Sequence, residues 1–330
     1  MNRAFKAFVV NKENNHFEKG LRTITENDLS EGDVLVKVSY SSINYKDALG
    51  SIPNGKIVLK YPLVLGIDLV GEVVEVNGSS FKVGDKVIAT SYDIGVSHFG
   101  GFSEYAKLKS EWLVPLPKGL TEREAMIYGT AGFTAAMSVH YLEKSGVSPN
   151  RGGVLVTGAS GGVGSHAVAL LAHLGYNVTA STGNKVIAPY LEVLGAAEIV
   201  SREEILGNPE KPLQKPRWSG VVDSVGGKTL SSLLPQINRH GAVALSGLTA
   251  GVEIQTTVFP FILRGISLIG IDSAYCEMPL RLEIWRKLAS VWKSPNLDEM
   301  VYEEITLDQT EDALQQVIEG NIVGRYIIKM

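Results

Sequence analysis

One segment limits the fold of this chain more than any other, residues 154–175 with the sequence VLVTGASGGVGSHAVALLAHLG. It begins as an apolar run typical of a buried strand, passes through a glycine-rich turn and continues with apolar residues at helical spacing. Glycines permit a tight turn and let the backbone approach a diphosphate at a helix N-terminus, where N–H groups and the helix dipole favour anions. The segment therefore predicts a dinucleotide site formed by Gly158, Ser160, Gly161, Gly162, Val163 and Gly164.

The sequence around this turn supplies the context that the motif requires. Apolar strands alternate with helical segments, and the predicted strands are GVLVTG (153–158), NVTAST (177–182), EIVS (198–201), GVVDSV (220–225), AVALSG (242–247) and SLIGID (267–272). Continuous apolar strands separated by helices predict a parallel sheet covered on both faces. Residues 125–273 are therefore expected to form a doubly wound α/β domain. This context favours a cofactor-binding turn over the alternative of a merely flexible glycine-rich loop.

The first third of the chain has a different pattern. Short β-rich runs separated by turn residues predict a barrel-like β unit, and these runs are FKAFVV (5–10), DVLVKVSYSSI (33–43), LVGEVVEV (69–76), DKVIAT (85–90) and EWLVPLP (111–117). After Pro117 the spacing becomes helical, and Thr121 with Glu124 forms a predicted capping box. Because 330 residues exceed the usual size of one core, we expect two domains, residues 1–124 with 274–330 and residues 125–273.

Composition narrows the class of partner. The formal charge is −4 and the cations are scattered, so the sequence shows no basic surface for nucleic acid. The single cysteine, Cys276, excludes an internal disulfide framework and a cysteine zinc lobe, and it fits a reducing compartment. No run of about 18 apolar residues occurs, so we expect a cytoplasmic protein without a membrane or nucleic-acid partner.

The end of the second predicted strand bears on the choice of nucleotide. Chains that prefer NAD carry an Asp or Glu about 20 residues after the turn, where it accepts a hydrogen bond from the ribose. Residues 179–185, TASTGNK, contain no acid. Hydroxyls, an amide and a lysine can bind a 2′-phosphate that a carboxylate would repel. We therefore predict NADPH, with its 2′-phosphate near Ser181, Thr182, Asn184 and Lys185, although a solvated lysine at a helix start is an equal alternative for Lys185.

Two further strand ends and two arginines complete the predicted cofactor site. Doubly wound sheets bind ligands at the carboxyl ends of their strands. The backbone there is predicted to line the cofactor crevice at Ser246, Gly247 and Leu248 and at Ile271, Asp272 and Ser273. Arg264 and Arg325 are candidate phosphate ligands because a guanidinium binds phosphate through two parallel hydrogen bonds, with an exposed arginine of no special role as the alternative.

Several motifs together indicate a more specific family than the dinucleotide-binding fold alone. They are SSINYKDAL (41–49), PLVLGIDLVGEV (62–73), GGFSEYA (100–106), GTAGFTAAMSV (129–139), TGASGGVG (157–164), VDSVGG (222–227) and PFILRGISLIGIDS (260–273). On these motifs the sequence resembles the medium-chain dehydrogenases/reductases, and within them the bacterial quinone oxidoreductase-like branch that includes acryloyl-CoA reductases. The resemblance implies a GroES-like β-barrel catalytic domain, a Rossmann domain and an active site in the cleft between them. Since relatives commonly pair through the edge of the nucleotide domain, it also implies a homodimer.

The resemblance also implies catalytic residues. Asn44, Tyr45 and Asp47 occupy the segment that faces the nicotinamide in relatives. Tyr45 is predicted to orient or protonate the substrate, with a packed aromatic side chain as the alternative. For Asp47 the alternative to a catalytic role is a structural one, as a hydrogen-bond acceptor that fixes this loop. Thr130 resembles the position near the nicotinamide and diphosphate, unless it is simply a buried threonine at a helix start.

The metal ligands of zinc-dependent relatives are missing from this sequence. Those relatives place a cysteine near Asn44, a histidine near Ile67 and four clustered cysteines elsewhere, and this chain has none of them. The acceptor must then carry its own electron sink, as α,β-unsaturated thioesters, enones and quinones do. We therefore predict an NADPH-dependent reductase of a small enoyl-CoA such as acryloyl-CoA, or of a quinone. A non-catalytic NADPH-binding redox sensor is the competing hypothesis.

Overall fold

The computed structural model describes residues 3–14, 16–208 and 211–330. Contacts between Cα atoms divide the chain into two compact units. Unit 1 comprises Met1–Thr130, Ala274–Ala289 and Val301–Met330, and unit 2 comprises Ala131–Ser273 and Ser290–Met300. Compared with the predicted boundaries, residues 125–130 fall in unit 1 and residues 290–300 in unit 2. The second difference has a local cause, because Asn296 Nδ2 donates to Val193 O at 2.6 Å within unit 2.

The strands and helices are numbered in chain order. The strands are β1 (Ala4–Glu13), β2 (His16–Thr25), β3 (Val34–Ser42), β4 (Leu63–Val64), β5 (Asp68–Val76), β6 (Lys86–Thr90), β7 (Tyr105–Leu108), β8 (Val114–Pro115), β9 (Val154–Val156), β10 (Val178–Thr182), β11 (Glu198–Ser201), β12 (Trp218–Asp223), β13 (Ile237–Leu245), β14 (Ser267–Gly270), β15 (Val301–Thr306) and β16 (Arg325–Lys329). The α-helices are α1 (Tyr45–Gly50), α2 (Glu122–Lys144), α3 (Gly162–His173), α4 (Ala188–Val193), α5 (Gly227–Leu233), α6 (Phe259–Arg264), α7 (Met278–Leu288) and α8 (Thr310–Glu319). Across the described residues, no helix has both the length and the apolar character needed to cross a membrane.

Unit 1 is mainly antiparallel β-structure. One sheet has the strand order β2-β1-β4, and the other has the order β15-β16-β3-β5-β6-β8, with β7 also pairing with β3. Alternate residues of β3, such as Val34, Val36 and Val38, are buried in the core of the larger sheet. Two details differ from the sequence prediction. Strand β2 was not predicted, because it pairs only with β1 and its residues are largely polar, and much of the predicted strand 111–117 is a 3₁₀ helix and loop.

Unit 2 is a parallel sheet with the strand order β11-β10-β9-β12-β13-β14. The chain runs from β9 outward to β10 and β11, and then returns to place β12, β13 and β14 on the other side of β9. The order therefore reverses between β9 and β12, and ligands of doubly wound sheets bind outside the carboxyl ends of the strands at such a switch point. Val154, Leu155 and Val156 of β9 are fully buried, as expected for a central strand covered on both faces.

Helix α2 is interrupted, although its sequence predicts one continuous helix. Gly129 has φ 48° and ψ −153°, a left-handed backbone conformation that divides the helix into two segments. The predicted capping box is present at the start, where Thr121 N donates to Glu124 Oε2 at 2.8 Å and Glu124 N donates to Thr121 Oγ1 at 3.1 Å. The interruption changes the direction of the backbone N–H of Thr130, the next residue.

Candidate functional site

A buried polar cluster forms in unit 1 around Asp68, the first residue of β5. The Asp68 carboxylate accepts hydrogen bonds from Thr130 N at 2.9 Å, Thr130 Oγ1 at 2.5 Å, Ser42 Oγ at 2.8 Å and Asn44 Nδ2 at 2.7 Å. Arg325 Nη2 lies 3.5 Å from Asp68 Oδ2. Both side chains of this ion pair are almost inaccessible to solvent, so the cluster is held by buried, charge-assisted contacts.

Asn44 and Asp47 belong to the same cluster. Asp47 accepts from Asn44 N and from Ile67 N, each at 2.8 Å, while Asn44 Oδ1 accepts from Arg325 Nη1 at 2.9 Å. Burial, followed by the nearby charge of Asp68, raises the pKa of Asp47 to about 7, although the donated hydrogen bonds oppose this shift. Both side chains are buried and engaged inside the protein. Asn44 and Asp47 are therefore placed to hold the start of α1, and their catalytic role stays a prediction.

Tyr45, the first residue of α1, differs from its two neighbours. Its side chain is 48% exposed, and its hydroxyl makes no hydrogen bond within the described part of the chain. The capping box of Asn44 and Asp47 fixes the helix start on which it stands. Tyr45 is therefore an accessible phenol on a rigid support.

The two arginines predicted to bind phosphate are occupied elsewhere. Arg325 is buried, and its terminal nitrogens donate to Ser42, Ile43 and Asn44 and form an ion pair with Asp68 within the polar cluster. Arg264 donates to the carbonyl oxygens of Pro235, at 2.7 Å, of Ile237, at 3.0 Å, and of Gln214. Neither guanidinium is free to bind a phosphate through two parallel hydrogen bonds, so both assignments are withdrawn.

Thr130 links the polar cluster to a strained turn. Ser91 and Tyr92 follow β6 with φ values of 65° and 51°, which are uncommon for residues other than glycine. The Ser91 hydroxyl lies 2.9 Å from Thr130 Oγ1, which itself donates to Asp68. Because Thr130 already gives its hydroxyl hydrogen to Asp68, the hydroxyl of Ser91 is the donor in its contact with Thr130. Sequence analysis did not single out Ser91, since its backbone conformation becomes visible only in the structure.

The glycine turn of unit 2 has the shape that a bound diphosphate requires. Gly158 has φ 58°, and a Cβ at Gly164 would lie 2.1 Å from the carbonyl oxygen of Gly158. Helix α3 begins directly after Gly161, so the turn ends at its N-terminus. Ser160 lies in this turn and Val163 in the first turn of α3, and both residues are partly exposed. The residues present therefore fit a dinucleotide at this position.

The carboxyl end of β10 holds the residues predicted for the 2′-phosphate. Ser181 and Thr182 are buried at the end of the strand, whereas Asn184 is exposed. Thr182 Oγ1 accepts from Asn184 N at 3.2 Å, and Asn184 Oδ1 accepts from Val186 N at 3.0 Å. The side chain of Lys185 lies outside the described residues.

Arg202 is a cation at this strand end that sequence analysis missed. A Cβ at Gly183 would lie 2.6 Å from Arg202 Cζ, so the guanidinium packs against this glycine. The parallel register of β10 and β11 places Thr182 opposite Ser201, which brings the following residues, Gly183 and Arg202, together. The position of Arg202 beside Gly183 follows only from the register of these two strands, which the sequence does not give.

The other two predicted strand ends lie at the same edge of the sheet. Leu245 of β13 pairs with Gly270 of β14, and the segments 246–248 and 271–273 follow these two residues. Ile271 N donates to Leu245 O at 2.9 Å. Ser273 Oγ accepts from Thr134 Oγ1 at 2.7 Å. Segments 246–248 and 271–273 are thus adjacent beside the carboxyl ends of the parallel strands.

The polar cluster of unit 1 does not fit a metal ion. Asn44 and Ile67 stand where a cysteine and a histidine would be needed, and the carboxylates of Asp47 and Asp68 accept from N–H and O–H donors. Within residues 3–14, 16–208 and 211–330, no three or more His, Cys, Asp or Glu side chains are grouped to hold a metal ion.

Comparison with known proteins places the whole chain in one family. Residues 30–118 match the alcohol dehydrogenase GroES-like domain, and residues 162–288 match the zinc-binding dehydrogenase domain. The chain is 51% identical to YhfP of Bacillus subtilis, whose name describes a quinone oxidoreductase, over 100% of both chains. It is 43% identical to the acrylyl-CoA reductase AcuI of Ruegeria pomeroyi over 98% of both chains.

Solved structures agree with this similarity in sequence. The structure of YhfP from Bacillus subtilis with NAD bound has a TM-score of 0.98 and covers 99% of this chain and 100% of that one. The YhdH oxidoreductase of Salmonella enterica in complex with NADP is 41% identical, with a TM-score of 0.95 over 98% and 99% of the two chains. A GroES-like domain and a Rossmann domain are therefore both confirmed. The chain belongs to the medium-chain dehydrogenase/reductase family, in the branch of quinone oxidoreductases and acrylyl-CoA reductases.

Proposed function

We propose that this chain is an NADPH-dependent reductase of an activated carbon–carbon double bond. Its first candidate acceptor is a small enoyl-CoA such as acryloyl-CoA, and a quinone is the second. The observation that carries the proposal is the full-length similarity to an acrylyl-CoA reductase, combined with a polar cluster whose donors do not suit zinc. A thioester supports this choice because its carbonyl is a built-in electron sink and its CoA portion provides remote binding energy.

The residues that would hold the cofactor lie in unit 2 and at Thr130. The turn would bind the diphosphate through Gly158, Ser160, Gly161, Gly162, Val163 and Gly164. The 2′-phosphate would lie near Ser181, Thr182, Asn184, Lys185 and Arg202, and segments 246–248 and 271–273 would line the rest of the crevice. When bound, NADPH supplies the hydride.

We assign Tyr45 as the side chain that contacts the acceptor during the reaction. Its hydroxyl is accessible and is not engaged in the polar cluster, so it can donate a hydrogen bond or a proton to the acceptor. Asn44 and Asp47 act through it as positioning residues, because they fix the start of α1. Thr130 is a less suitable proton donor, since its hydroxyl hydrogen is directed at Asp68.

One assay series tests the acceptor class. The specificity constant kcat/KM is measured with NADPH for acryloyl-CoA, crotonyl-CoA, 1,4-benzoquinone and a primary alcohol. We expect thioester reduction at least as efficient as quinone reduction, and no alcohol oxidation. Quinone reduction without detectable thioester reduction would move the assignment to a quinone reductase, whereas alcohol oxidation would overturn the chemistry.

The cofactor preference needs its own test, because the solved relatives carry NAD in one case and NADP in another. We expect NADPH to bind more tightly than NADH, since charge-assisted bonds to a phosphate contribute about 1.5–3 kcal/mol each. Dissociation constants of both nucleotides are measured for the native protein and for Arg202→Ala, with Arg217→Ala, at the residue before the amino end of β12, as a control. Equal dissociation constants for the two nucleotides in the native protein would refute the preference.

The competing hypothesis of a redox sensor is not favoured, because the two full-length relatives are named as a quinone oxidoreductase and an acrylyl-CoA reductase. The reductase is proposed to work in the cytoplasm, where its buried thiol at Cys276 would stay reduced.

A homodimer through the edge of unit 2 is part of the proposal. Strand β14 ends the strand order of the sheet, and the apolar side chains of Val258 and Ile262, in the segment that precedes β14 in the chain, are 64% and 68% exposed. A second copy could pair with this edge and cover these side chains. The mass in solution, measured by light scattering, should correspond to a dimer and should fall to that of a monomer for Ile262→Glu.

A further inference from the structure

The VDSVGG motif at residues 222–227 takes no part in the function proposed so far. In the structure it begins in β12 and passes the switch point of the parallel sheet, where β12 lies beside β9. Asp223 is the last residue of β12, and Thr157 directly follows β9 and precedes the glycine turn. Asp223 and Thr157 thus stand on either side of the place where the strand order reverses.

Asp223 is a fully buried carboxylate held by uncharged donors. It accepts from Thr157 Oγ1 at 2.5 Å, from Val225 N at 3.2 Å and from Gly226 N at 3.0 Å. No lysine or arginine within the described ranges forms an ion pair with it. Burial raises the pKa of Asp223, and the hydrogen bonds from Thr157, Val225 and Gly226 oppose this shift.

Three segments at the carboxyl edge of the sheet meet at Asp223. The side-chain carboxylate of Asp223 accepts from Thr157, and its backbone oxygen accepts from Ser246 N at 2.9 Å. Ser224 Oγ donates to Thr157 O at 2.9 Å and occupies the space where a Cβ at Gly158 would lie, 2.6 Å away. A Cβ at Gly247 would lie 1.8 Å from Ser224 O, so these backbones pack in direct contact. The turn and the two loops that follow β12 and β13 are therefore packed together around Asp223 and Ser224.

We infer that Asp223 is a positioning residue for NADPH binding. Its carboxylate links the ends of β9 and β12, and it fixes the first residues of the glycine turn through the hydroxyl of Thr157. A carboxylate suits this role because it can accept from a hydroxyl and two N–H groups at once, whereas an asparagine would direct its own NH₂ group at one of them. The inference rests on the proposed function, since it requires that the turn binds NADPH.

Thr157 offers a matched pair of variants. Thr157→Val keeps the shape of the side chain and removes the hydroxyl, whereas Thr157→Ser keeps the hydroxyl. The dissociation constant of NADPH is measured by fluorescence titration without acceptor, together with kcat at saturating NADPH and the melting temperature of the free protein. Thr157→Val removes the bond that the hydroxyl donates to the charged Asp223 and the bond that it accepts from Ser224 N, so we expect about a tenfold weaker NADPH affinity. Thr157→Ser should stay within about threefold of the native protein, with kcat little changed in both.

The outcomes separate this inference from the proposed function. A lower melting temperature for Thr157→Val with an unchanged NADPH dissociation constant would show a purely structural role and overturn the inference. Equal weakening by Val and Ser would also overturn it, because the hydroxyl would not be responsible. Asp223→Asn should weaken NADPH binding at least as much as Thr157→Val does. If the native protein itself did not bind NADPH, the proposed function would fail first and the inference with it.

Discussion

The two units fix their functional atoms by opposite means. In unit 1, side chains far apart in the sequence bind one another, since Asp68 accepts a hydrogen bond from Asn44 and forms an ion pair with Arg325. In unit 2, the turn at residues 158–164 is shaped by the backbone and by the absence of side chains. Unit 1 therefore depends on side chains that bind one another, whereas the turn of unit 2 needs positions without a side chain and is held at its first residues by Asp223.

The buried aspartates show the same contrast. Asp68 faces a guanidinium, whereas Asp223 is held by a hydroxyl and two N–H groups. A buried ion pair becomes strongly destabilising when one partner is removed, because the other charge is left without compensation. Local dipoles hold a charge less strongly but also fix the backbone that carries them. Removing a side chain should therefore harm unit 1 most, and adding one should harm unit 2 most.

The largest expected effect comes from Arg325→Met, which leaves Asp68 buried without its cation. We expect the free energy of unfolding to fall by about 3–5 kcal/mol, measured by urea denaturation. The double variant with Asp68→Asn should recover part of this loss. As a control, Arg3→Met removes an exposed partner of Glu26 and should change stability by less than about 1 kcal/mol. Equal effects of Arg325→Met and Arg3→Met would contradict the role assigned to the buried pair.

Tyr45→Phe tests whether the tyrosine at the helix start that Asn44 and Asp47 hold serves chemistry rather than cofactor binding. Loss of a proton-donating group lowers rates by about 10²-fold or more, so kcat should fall by about that factor. The NADPH dissociation constant should stay within about twofold of the native value, because the turn of unit 2 is untouched. Tyr302→Phe is the control, since Tyr302 is equally exposed at 48% and lies outside the cluster. An unchanged kcat for Tyr45→Phe would remove Tyr45 from the catalytic step.

Gly164→Ala tests the opposite prediction for unit 2. Its Cβ would lie 2.1 Å from the Gly158 carbonyl oxygen, and a backbone atom cannot move aside as a flexible side chain can. Overpacking costs about 1–3 kcal/mol, which corresponds to about five- to 150-fold weaker NADPH binding if the bound turn bears the whole cost. At Gly153 a Cβ would make ordinary contact at 3.6 Å, so Gly153→Ala should leave the dissociation constant unchanged. Similar affinities for the two variants would disprove the close approach.

The smallest effect concerns the pH dependence of stability. The pKa of Asp47 is raised from 3.8 to about 7 in the folded protein, so the folded state holds this proton more tightly than the unfolded state. Its contribution to stability is fully present below about pH 4 and is lost as the pH rises through about 7. Urea denaturation at pH 5 and pH 8 should therefore show a smaller decrease for Asp47→Asn than for the native protein. Identical decreases would mean that Asp47 does not titrate in this range.

The contrast between the units also explains what the sequence could predict. The glycine turn and the strands of unit 2 follow from local patterns, so their positions and the dinucleotide fold were predicted correctly. The contact between Arg325 and Asn44 spans 281 residues, and no local pattern reveals it. Arg325 was therefore assigned to a phosphate when it is part of the cluster. Arg202 was not predicted for a related reason, because only the register of β10 and β11 brings it beside Gly183.

The interruption of helix α2 at Gly129 has a consequence for protein engineering. A glycine inside a long helical sequence is a common target for stabilisation, because alanine is the better helix former by about 1 kcal/mol. Here a Cβ would lie 2.4 Å from Asp68 Oδ2 and 2.7 Å from Arg325 Nη2, and the backbone at Gly129 is left-handed. An automated consensus or propensity scheme that placed alanine at this position would force it into the charged cluster, so the substitution that strengthens an ordinary helix would here weaken the domain.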